Sequence, residues 1–111
     1  KGVILKKPLP DCPVETTLQL IGDKWKILII RDLLDGTKRF NELKKSLTGI
    51  TQKVLTSKLR DMEDSGLLTR KIYPEVPPKV EYSLTNLGSS LFPILENLAA
   101  WGDEYKKAYS N

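Results

Sequence analysis

The sequence predicts one α+β domain, mainly α-helical, with a β-hairpin ahead of its last helix. Apolar residues recur at helical spacing over residues 14–62, alternate with polar ones over 67–84, and return to helical spacing from residue 87. A chain of 111 residues can bury one modest core but not two. We therefore expect residues 1–111 to form a single domain, with residues 1–11 as an N-terminal arm.

The composition narrows the class of protein. Hydrophobic residues make up 40% of the chain and charged residues 29%, as in ordinary soluble domains. No apolar run is long enough to span a membrane, and no secretory signal opens the chain, so we expect no membrane partner. The single cysteine, Cys12, has no internal disulfide partner, which fits a reducing compartment. The sequence thus predicts a cytoplasmic protein.

The residues that enzymes use are scarce in this chain. It has no histidine to act as a general base or metal ligand, and a lone cysteine cannot build a thiolate metal site. Gly22, Gly36 and Gly49 stand singly at expected element ends, not in a phosphate-binding loop. Carboxylates such as Asp61 and Asp64 are expected on an exposed helix face, where they serve solubility. We expect no enzymatic activity, no cofactor and no metal.

Three helices are predicted before the centre of the chain. Pro13 suits the first position of one helix, which Gly22 ends, and Asp23 can cap the next. A turn at Asp35-Gly36 and a short edge strand at residues 37–39 precede the third. The expected inner faces comprise Val14, Thr17, Leu18 and Ile21, then Trp25, Leu28, Ile29 and Leu33 or Leu34, then Phe40, Leu43 and Leu47.

Residues 50–65 predict a fourth helix with two different faces. Its core stripe consists of Leu55, Leu59 and Met62. Roughly opposite lie cations and short hydrogen-bonding side chains, namely Lys53, Thr56, Ser57 and Arg60. Thr51 stands at the N-cap position and Gly66 at the C-cap position. Such a helix fits a DNA major groove, although taken alone it also fits an ordinary solvated helix.

Positive charge concentrates around this helix. The net charge is only +4, but residues 37–60 contain seven cations and one acid, Glu42. The cations are Lys38, Arg39, Lys44, Lys45, Lys53, Lys58 and Arg60. This distribution is typical of a nucleic-acid surface, although basic helices often serve solubility alone. Because a short glycine-containing turn at residues 48–50 joins the third helix to the basic fourth, a helix-turn-helix is favoured.

Two alternating segments, residues 67–73 and 80–84, predict the β-hairpin. The prolines of the loop at residues 74–78 suit an exposed tip. Basic residues along the hairpin are Arg70, Lys71 and Lys79. A hairpin directly after a basic helix is the wing of a winged helix-turn-helix, which touches phosphates or the minor groove. A hairpin that only covers the core would fit the same residues.

Residues 85–111 predict one long C-terminal helix capped by Thr85. Pro93 removes a helical hydrogen bond, so the helix should bend or restart there. The main apolar stripe is Leu87, Leu91, Ile94, Leu95, Leu98, Trp101 and Tyr105, and Phe92 and Ala99 begin a second. One stripe suffices for the core of so small a domain. The wider apolar surface therefore indicates a dimerisation helix.

Four segments of the chain together resemble a known family. They are CPVETTLQLIGDKWKILIIRDLL, GTKRFNEL, GITQKVLTSKLRDMEDSGLL and YPEVPPKVEYSLTNLG. The likeness covers about residues 12–102 and is most specific in the Cys-Pro, the Gly-x-Lys-Trp and the Tyr-Pro-x-x-Pro-Pro motifs. These segments resemble the HxlR-type branch of the MarR-like winged helix-turn-helix transcription regulators. The resemblance implies a bacterial, cytoplasmic homodimer that binds operator DNA and dimerises through its first and last helices.

The expected site has two parts. Contacts to double-stranded DNA are expected from Arg39, Thr51, Gln52, Lys53, Thr56, Ser57, Arg60, Arg70 and Lys79. The homodimer interface is expected to contain Val14, Leu18, Phe92, Leu95, Leu98, Trp101 and Tyr105. The alternative is a winged-helix module that binds only proteins. Such a module should show apolar or acidic residues on the fourth helix, where this chain has Lys53 and Arg60.

Cys12 has two interpretations that stay open. At a helix entrance, free backbone N–H groups favour a thiolate, while the neighbouring Asp11 opposes one. Several regulators that the chain resembles sense oxidants or electrophiles with the matching cysteine, which implies a thiol sensor. Equally, Cys12 fits a small residue packed near the dimer interface. The effector, an oxidant or a small molecule, is not identified by the resemblance.

Overall fold

The computed structural model describes residues 7–109. In chain order its elements are α1 (Pro13–Ile21), α2 (Lys24–Leu34), β1 (Lys38–Arg39), α3 (Phe40–Ser46), α4 (Gln52–Asp64), β2 (Leu68–Tyr73), β3 (Lys79–Leu84), α5 (Asn86–Ser89) and α6 (Phe92–Tyr109). The mainly helical α+β class with a hairpin and a C-terminal helix is confirmed. Most of the expected N-terminal arm, residues 1–6, lies outside the described residues. Within them, no helix has the length and apolar character needed to cross a bilayer.

A three-stranded antiparallel sheet holds the hairpin against the helices. The strand order is β1-β3-β2, so β3 lies in the middle. Strand β1 pairs Lys38 with Tyr82, and the hairpin register runs from Leu68 opposite Leu84 to Tyr73 opposite Lys79. Both the short edge strand and the hairpin predicted from the sequence are confirmed.

The core lies between α2, α3, α4 and the base of the hairpin. Its most completely buried side chains are Ile29, Ile30, Leu43, Leu47, Leu55, Met62 and Leu68. The predicted inner stripe of α4 is confirmed, since Leu59 is buried beside Leu55 and Met62. Burying an aliphatic side chain of this size stabilises the fold by about 1.5–3 kcal/mol. This packing fixes which side of α4 faces outward.

Side-chain caps set where α2 and α4 begin. The Asp23 carboxylate accepts hydrogen bonds from the backbone N–H groups of Trp25 at 2.8 Å and Lys26 at 3.2 Å. The Thr51 hydroxyl accepts one from the N–H of Val54 at 3.1 Å. Gly66, with a φ of 79°, lies just beyond α4 and allows the chain to turn toward β2. The N-caps Asp23 and Thr51 are confirmed as predicted, whereas the C-cap of α4 is Ser65 and Gly66 follows it.

The expected inner face of α1 is wrong for the single chain. Val14 is 66% exposed and Leu18 is 59% exposed, and Ile21 is the one residue of α1 that is buried. The nine-residue helix packs mainly through its C-terminal end, so its first two turns project away from the core. In α2 the predicted Ile29 and Leu33 are buried, and Ile30, which was not predicted, is buried with them. Trp25 and Leu28 of the expected stripe are only partly buried.

The long C-terminal helix is confirmed as α6, and the restart expected near Pro93 divides the segment into two helices. Thr85 caps the short α5, a turn follows at residues 90–91, and α6 begins at Phe92. Pro93 has no N–H to continue the helical ladder, which explains the restart that the sequence suggested. Most of α6 then projects its apolar residues outward, and none of them is fully buried.

Candidate nucleic-acid interface

The residues of α4 that are predicted to contact DNA bases lie together on its outward face. Gln52, Lys53, Ser57 and Arg60 are exposed, and Thr56 is half-buried. These five side chains and Asp61 line one open depression along the helix. Because the opposite face of α4 is locked into the core, these residues are held on a rigid element. The arrangement offers donors, acceptors and positive charge along about three helical turns.

The positive charge on this face is available to a ligand. Neither Lys53 nor Arg60 is among the cations that the described residues pair with a carboxylate. An arginine on such a face can donate two hydrogen bonds to one guanine edge, and a lysine can bind a base or a phosphate. The chemistry of the face therefore fits DNA better than it fits an apolar or basic protein partner.

Two cations of the central basic cluster are already neutralised within the protein. The Lys58 ammonium contacts the Asp23 carboxylate, and the Lys38 Nζ lies 3.4 Å from the Asp35 Oδ2. Lys58 could not be distinguished from Lys53 by its sequence context, because its pairing depends on how α2 and α4 meet, whereas Lys38 and Asp35 form a local pair three residues apart. The basic surface is therefore smaller than the count of seven cations indicates.

Thr51 and Arg39 lie at helix starts. The Thr51 hydroxyl oxygen is used as the α4 cap, while its O–H remains a donor. Arg39 precedes α3, and its backbone N–H donates to the Glu42 Oε1 at 2.7 Å. The Arg39 side chain is exposed and lines, together with Lys79, a second depression between the start of α3 and the loop at residues 74–78.

The predicted cations of the wing are engaged with acids. The Lys79 Nζ lies 3.7 Å from the Glu81 Oε2 and 4.3 Å from the Tyr73 ring centroid. The Arg70 Nε lies 3.5 Å from the Glu63 Oε1. These two cations should therefore attract phosphates more weakly than Lys53 and Arg60 do. Lys71 is exposed, and its Nζ lies 4.9 Å from the centroid of the Tyr73 ring.

The pKa values of two side chains, Asp23 and Tyr82, are shifted from their ordinary values. Partial burial tends to raise the pKa of the Asp23 carboxyl, but the hydrogen bonds from Lys58 and the α2 backbone, together with the Lys58 charge, lower it below its ordinary value. Burial raises the pKa of the Tyr82 hydroxyl, and the nearby Arg70 charge opposes that change only in part.

A second ion pair between α2 and α4 was not predicted from the sequence. The Lys26 Nζ lies 3.7 Å from the Asp61 Oδ2, so Asp61 is not the exposed solubility carboxylate that was expected. Its signal in the sequence is the spacing of opposite charges three residues apart, Asp23 with Lys26 and Lys58 with Asp61. The spacing indicates ion pairs only once the contact between α2 and α4 is known.

A family model for the HxlR-like helix-turn-helix matches residues 20–110. The chain belongs to this family. Two Bacillus subtilis relatives, both named as uncharacterized HTH-type transcriptional regulators, are similar over 95 residues, which is 86% of this chain. YdeP is 52% identical over 74% of its own length, and YkvN is 53% identical over 80%. The chain is therefore an HTH-type transcription regulator, the class that its composition favoured over an enzyme.

Solved structures of the same type share the fold of this HxlR-like chain. The redox regulator HypR in its reduced form is 45% identical, with a TM-score of 0.83 over 87% of this chain and 96% of that one. The oxidised form of HypR is 48% identical, with a TM-score of 0.79 over 84% and 96% of the two chains. The reduced regulator YodB of B. subtilis is 37% identical, with a TM-score of 0.74 over 86% and 95%. The winged-helix architecture of the chain is thereby shown.

The remaining predicted site residues of this HxlR-like regulator lie away from α4. Cys12 is exposed and immediately precedes α1, and its side chain caps no backbone group. The exposed members of the expected dimer interface are Val14, Leu18, Phe92, Leu98, Trp101 and Tyr105. Leu95 differs from them, because it packs against the core and is partly buried. The structure thus separates the polar, basic face of α4 from an exposed apolar face on α1 and α6.

Proposed function

We propose that this HxlR-type regulator acts in the cytoplasm by binding an operator sequence in double-stranded DNA as a homodimer. The observation that carries the proposal is the outward face of α4, where Lys53 and Arg60 are exposed beside three short or amide-bearing polar side chains. A rigid helix with this face can enter a major groove and hydrogen-bond with base edges. Two copies related by a two-fold axis require an inverted-repeat operator.

The roles within the interface follow from charge and position. Arg60, Thr56 and Ser57 lie on the middle of the outward face and are assigned to base edges. Lys53 and Gln52 lie one turn nearer the helix start, within reach of a base or a phosphate. Arg39, Arg70 and Lys79, with Thr51 at the start of α4, are assigned to the flanking backbone. Of these, Arg70 and Lys79 must weaken contacts with Glu63 and Glu81 in order to bind phosphate.

Selection of preferred duplexes from random-sequence DNA, followed by titration, tests the proposal. The Arg60→Ala protein should lose about 1–3 kcal/mol of preference for the selected duplex over a scrambled one, because a bidentate base contact is removed. Lys53→Ala should weaken binding to both duplexes and reduce the salt slope by about one, if its ammonium binds a phosphate. Lys107→Ala, which removes an exposed cation of α6, is the matched control.

A wild-type protein that selects no sequence would remove the proposal. Unchanged affinity and unchanged salt dependence in both α4 variants would instead show that α4 is not the reading element.

The homodimer is supported by the apolar surface that one chain leaves uncovered. Trp101 is 70% exposed, and its ring stacks on Tyr105, whose ring in turn meets Tyr109. Leu98 and Phe92 are exposed on the same helix, and α1 adds Val14 and Leu18. An uncovered patch of aromatic and aliphatic side chains is typical of a protein interface.

A thiol-sensor role for Cys12 is the second part of the proposal. The side chain is exposed in the single chain and stands at the N-terminus of α1, which carries two exposed residues of the proposed dimer interface. The relative HypR is named as a redox regulator, in an oxidised and a reduced form. Modification of Cys12 would act by moving α1, and through the dimer would change the spacing of the two reading helices.

Binding to the selected duplex with and without diamide or a quinone tests the sensor role. The wild-type protein should release the duplex after treatment, and Cys12→Ser should retain it. Release in both proteins, or in neither, contradicts the sensor role and supports a packing role for Cys12, while the proposal that the protein binds DNA still stands.

A further inference from the structure

Helices α2 and α4 are joined at the surface by two ion pairs of opposite polarity. The carboxylate of Asp23, just before α2, contacts the ammonium of Lys58 in α4. The ammonium of Lys26 in α2 contacts the carboxylate of Asp61 in α4. Asp23 and Lys26 are three residues apart, as are Lys58 and Asp61, so each of these two pairs of neighbours lies on one face of its helix. We name these four residues the α2–α4 clasp.

The clasp groups are less solvated than an ordinary surface ion pair. The Lys26 side chain is 14% exposed and the Lys58 side chain 26% exposed. The lowered pKa of the Asp23 carboxyl is consistent with a charge that its neighbours stabilise. Asp23 also caps α2 through the N–H groups of Trp25 and Lys26, which leaves its carboxylate little freedom to move. Fixed, partly buried charges interact more strongly than mobile surface charges.

The alternating sign makes the clasp selective for one register. If α4 slid along α2 by one turn, about 5.4 Å, Lys58 would approach Lys26 or Asp61 would approach Asp23. Like charges at that separation repel, so the slipped arrangement is disfavoured by the same groups that favour the observed one. The apolar stripe of Leu55, Leu59 and Met62 lacks this selectivity, because aliphatic side chains of similar size can interchange positions in a core.

We propose that Asp23 and Lys26 are positioning residues for DNA recognition, which set the register of α4 on α2 without touching DNA. The inference rests on the proposed function of α4 as the reading helix. Lys58 and Asp61 alternate along α4 with Ser57 and Arg60, so a displacement of the clasp is passed directly to the reading side chains. A lysine of the basic cluster and an acid beside the proposed reading face are thus used for contacts inside the protein.

The test compares variants of α2 that lie outside the DNA face. Asp23→Asn retains a good capping side chain but loses the charge that meets Lys58. Lys26→Gln loses the charge that meets Asp61, and Lys26→Arg retains it. Lys24→Gln is the matched control, since Lys24 is exposed and its ammonium lies over the Trp25 ring at 4.6 Å. Each protein is titrated with the duplex selected by the wild type and with a scrambled duplex, at a temperature where circular dichroism shows it folded.

Asp23→Asn and Lys26→Gln should lower the ratio of the two affinities by about tenfold, comparable to the loss of one bidentate base contact. The salt slope should stay that of the wild type, because no phosphate-binding cation is removed. Lys26→Arg and Lys24→Gln should retain the wild-type ratio. Ratios unchanged in the clasp variants overturn the inference. An equal loss in Lys26→Arg and Lys26→Gln also overturns it, because packing rather than charge would then position α4.

Amide hydrogen exchange without DNA separates this inference from the proposed function. The amides of α4 should exchange faster in Asp23→Asn and Lys26→Gln than in the wild type and in Lys24→Gln. A wild-type protein with no sequence preference would remove the proposed function, and exchange alone would then decide whether the clasp holds α4. Equal exchange in all four proteins contradicts the clasp.

Discussion

At the scale of single residues, Asp23 combines two stabilising roles in one carboxylate. It caps α2 and it meets Lys58 of α4. A carboxyl whose pKa is lower in the folded than in the unfolded chain stabilises the fold above its unfolded pKa of about 3.9, and this contribution is lost as the pH falls through the folded pKa. The contribution of Asp23 should therefore be complete at neutral pH and fade in acid.

Two substitutions separate the roles of Asp23. Asp23→Ala removes cap and charge and should cost about 1–2 kcal/mol of the free energy of unfolding at pH 7. Asp23→Asn retains the cap, so it should cost less. Its deficit relative to the wild type should shrink as the pH falls below the ordinary carboxyl pKa of about 3.9, because the wild-type carboxyl then becomes protonated. Urea unfolding at pH 7 and in acid measures these differences, and a deficit that does not depend on pH would contradict the role of the charge.

Residue types and spacing predict some positions and not others. Leu55, Leu59 and Met62 could be placed in the core because their helical spacing leaves one consistent face. Val14 and Leu18 show the same spacing, yet they are exposed, because periodicity identifies an apolar face but not what covers it. Lys53 and Lys58 are identical in type, and only the packing of α2 on α4 shows that one of them is already paired.

At the scale of elements, the turn between α5 and α6 sets the direction of the C-terminal helix. Gly88 is buried in α5, where a Cβ would lie 2.0 Å from the carbonyl oxygen of Leu67. The Thr85 hydroxyl donates to the carbonyl of Gly66 and accepts from the N–H of Gly88. The short α5 is therefore seated on the chain just before β2, and α6 departs from that fixed point. Sequence alone indicated the restart at Pro93 but not this seat, since it depends on residues far apart in the chain.

Gly88→Ala tests the seating of α5. The added methyl group would collide with backbone rather than with a movable side chain, so the substitution should cost about 1–3 kcal/mol of the free energy of unfolding. Gly102→Ala in α6 is the control, because a Cβ there meets nothing within 4 Å in the single chain. Its effect on the unfolding of one chain should be neutral or favourable by up to about 1 kcal/mol, as helix propensity predicts. Thermal unfolding of both variants measures the difference, and equal stability would mean that α5 is not tightly seated.

At the scale of the whole molecule, the polar, basic face proposed to bind DNA and the exposed apolar face lie on different helices. Helix α4 is fixed in the core by its apolar stripe, whereas α1 and α6 direct large side chains outward. The family resemblance predicted this division, and the exposure of Trp101 and Leu98 agrees with it. What the sequence could not provide is the spacing of two α4 helices in a dimer, because that distance depends on how two copies of α6 meet.

The last prediction concerns the interface between two chains in the proposed dimer. The wild-type protein should sediment as a dimer at micromolar concentration, and Trp101→Glu should shift it to a monomer, because a buried aromatic anchor is typically worth at least about 2 kcal/mol of binding. Since Trp101 is largely exposed in the single chain, the variant should keep the far-ultraviolet circular dichroism of the wild type. Ala100→Glu, which places the same charge about 100° around the helix, is the control and should leave the dimer intact. A Trp101→Glu protein that stays dimeric would show that Trp101 does not anchor the interface, and equal dissociation in both variants would show that the effect is not specific to the Trp101 side of α6. A monomeric wild type would remove the dimer, and the operator would then no longer be required to be an inverted repeat.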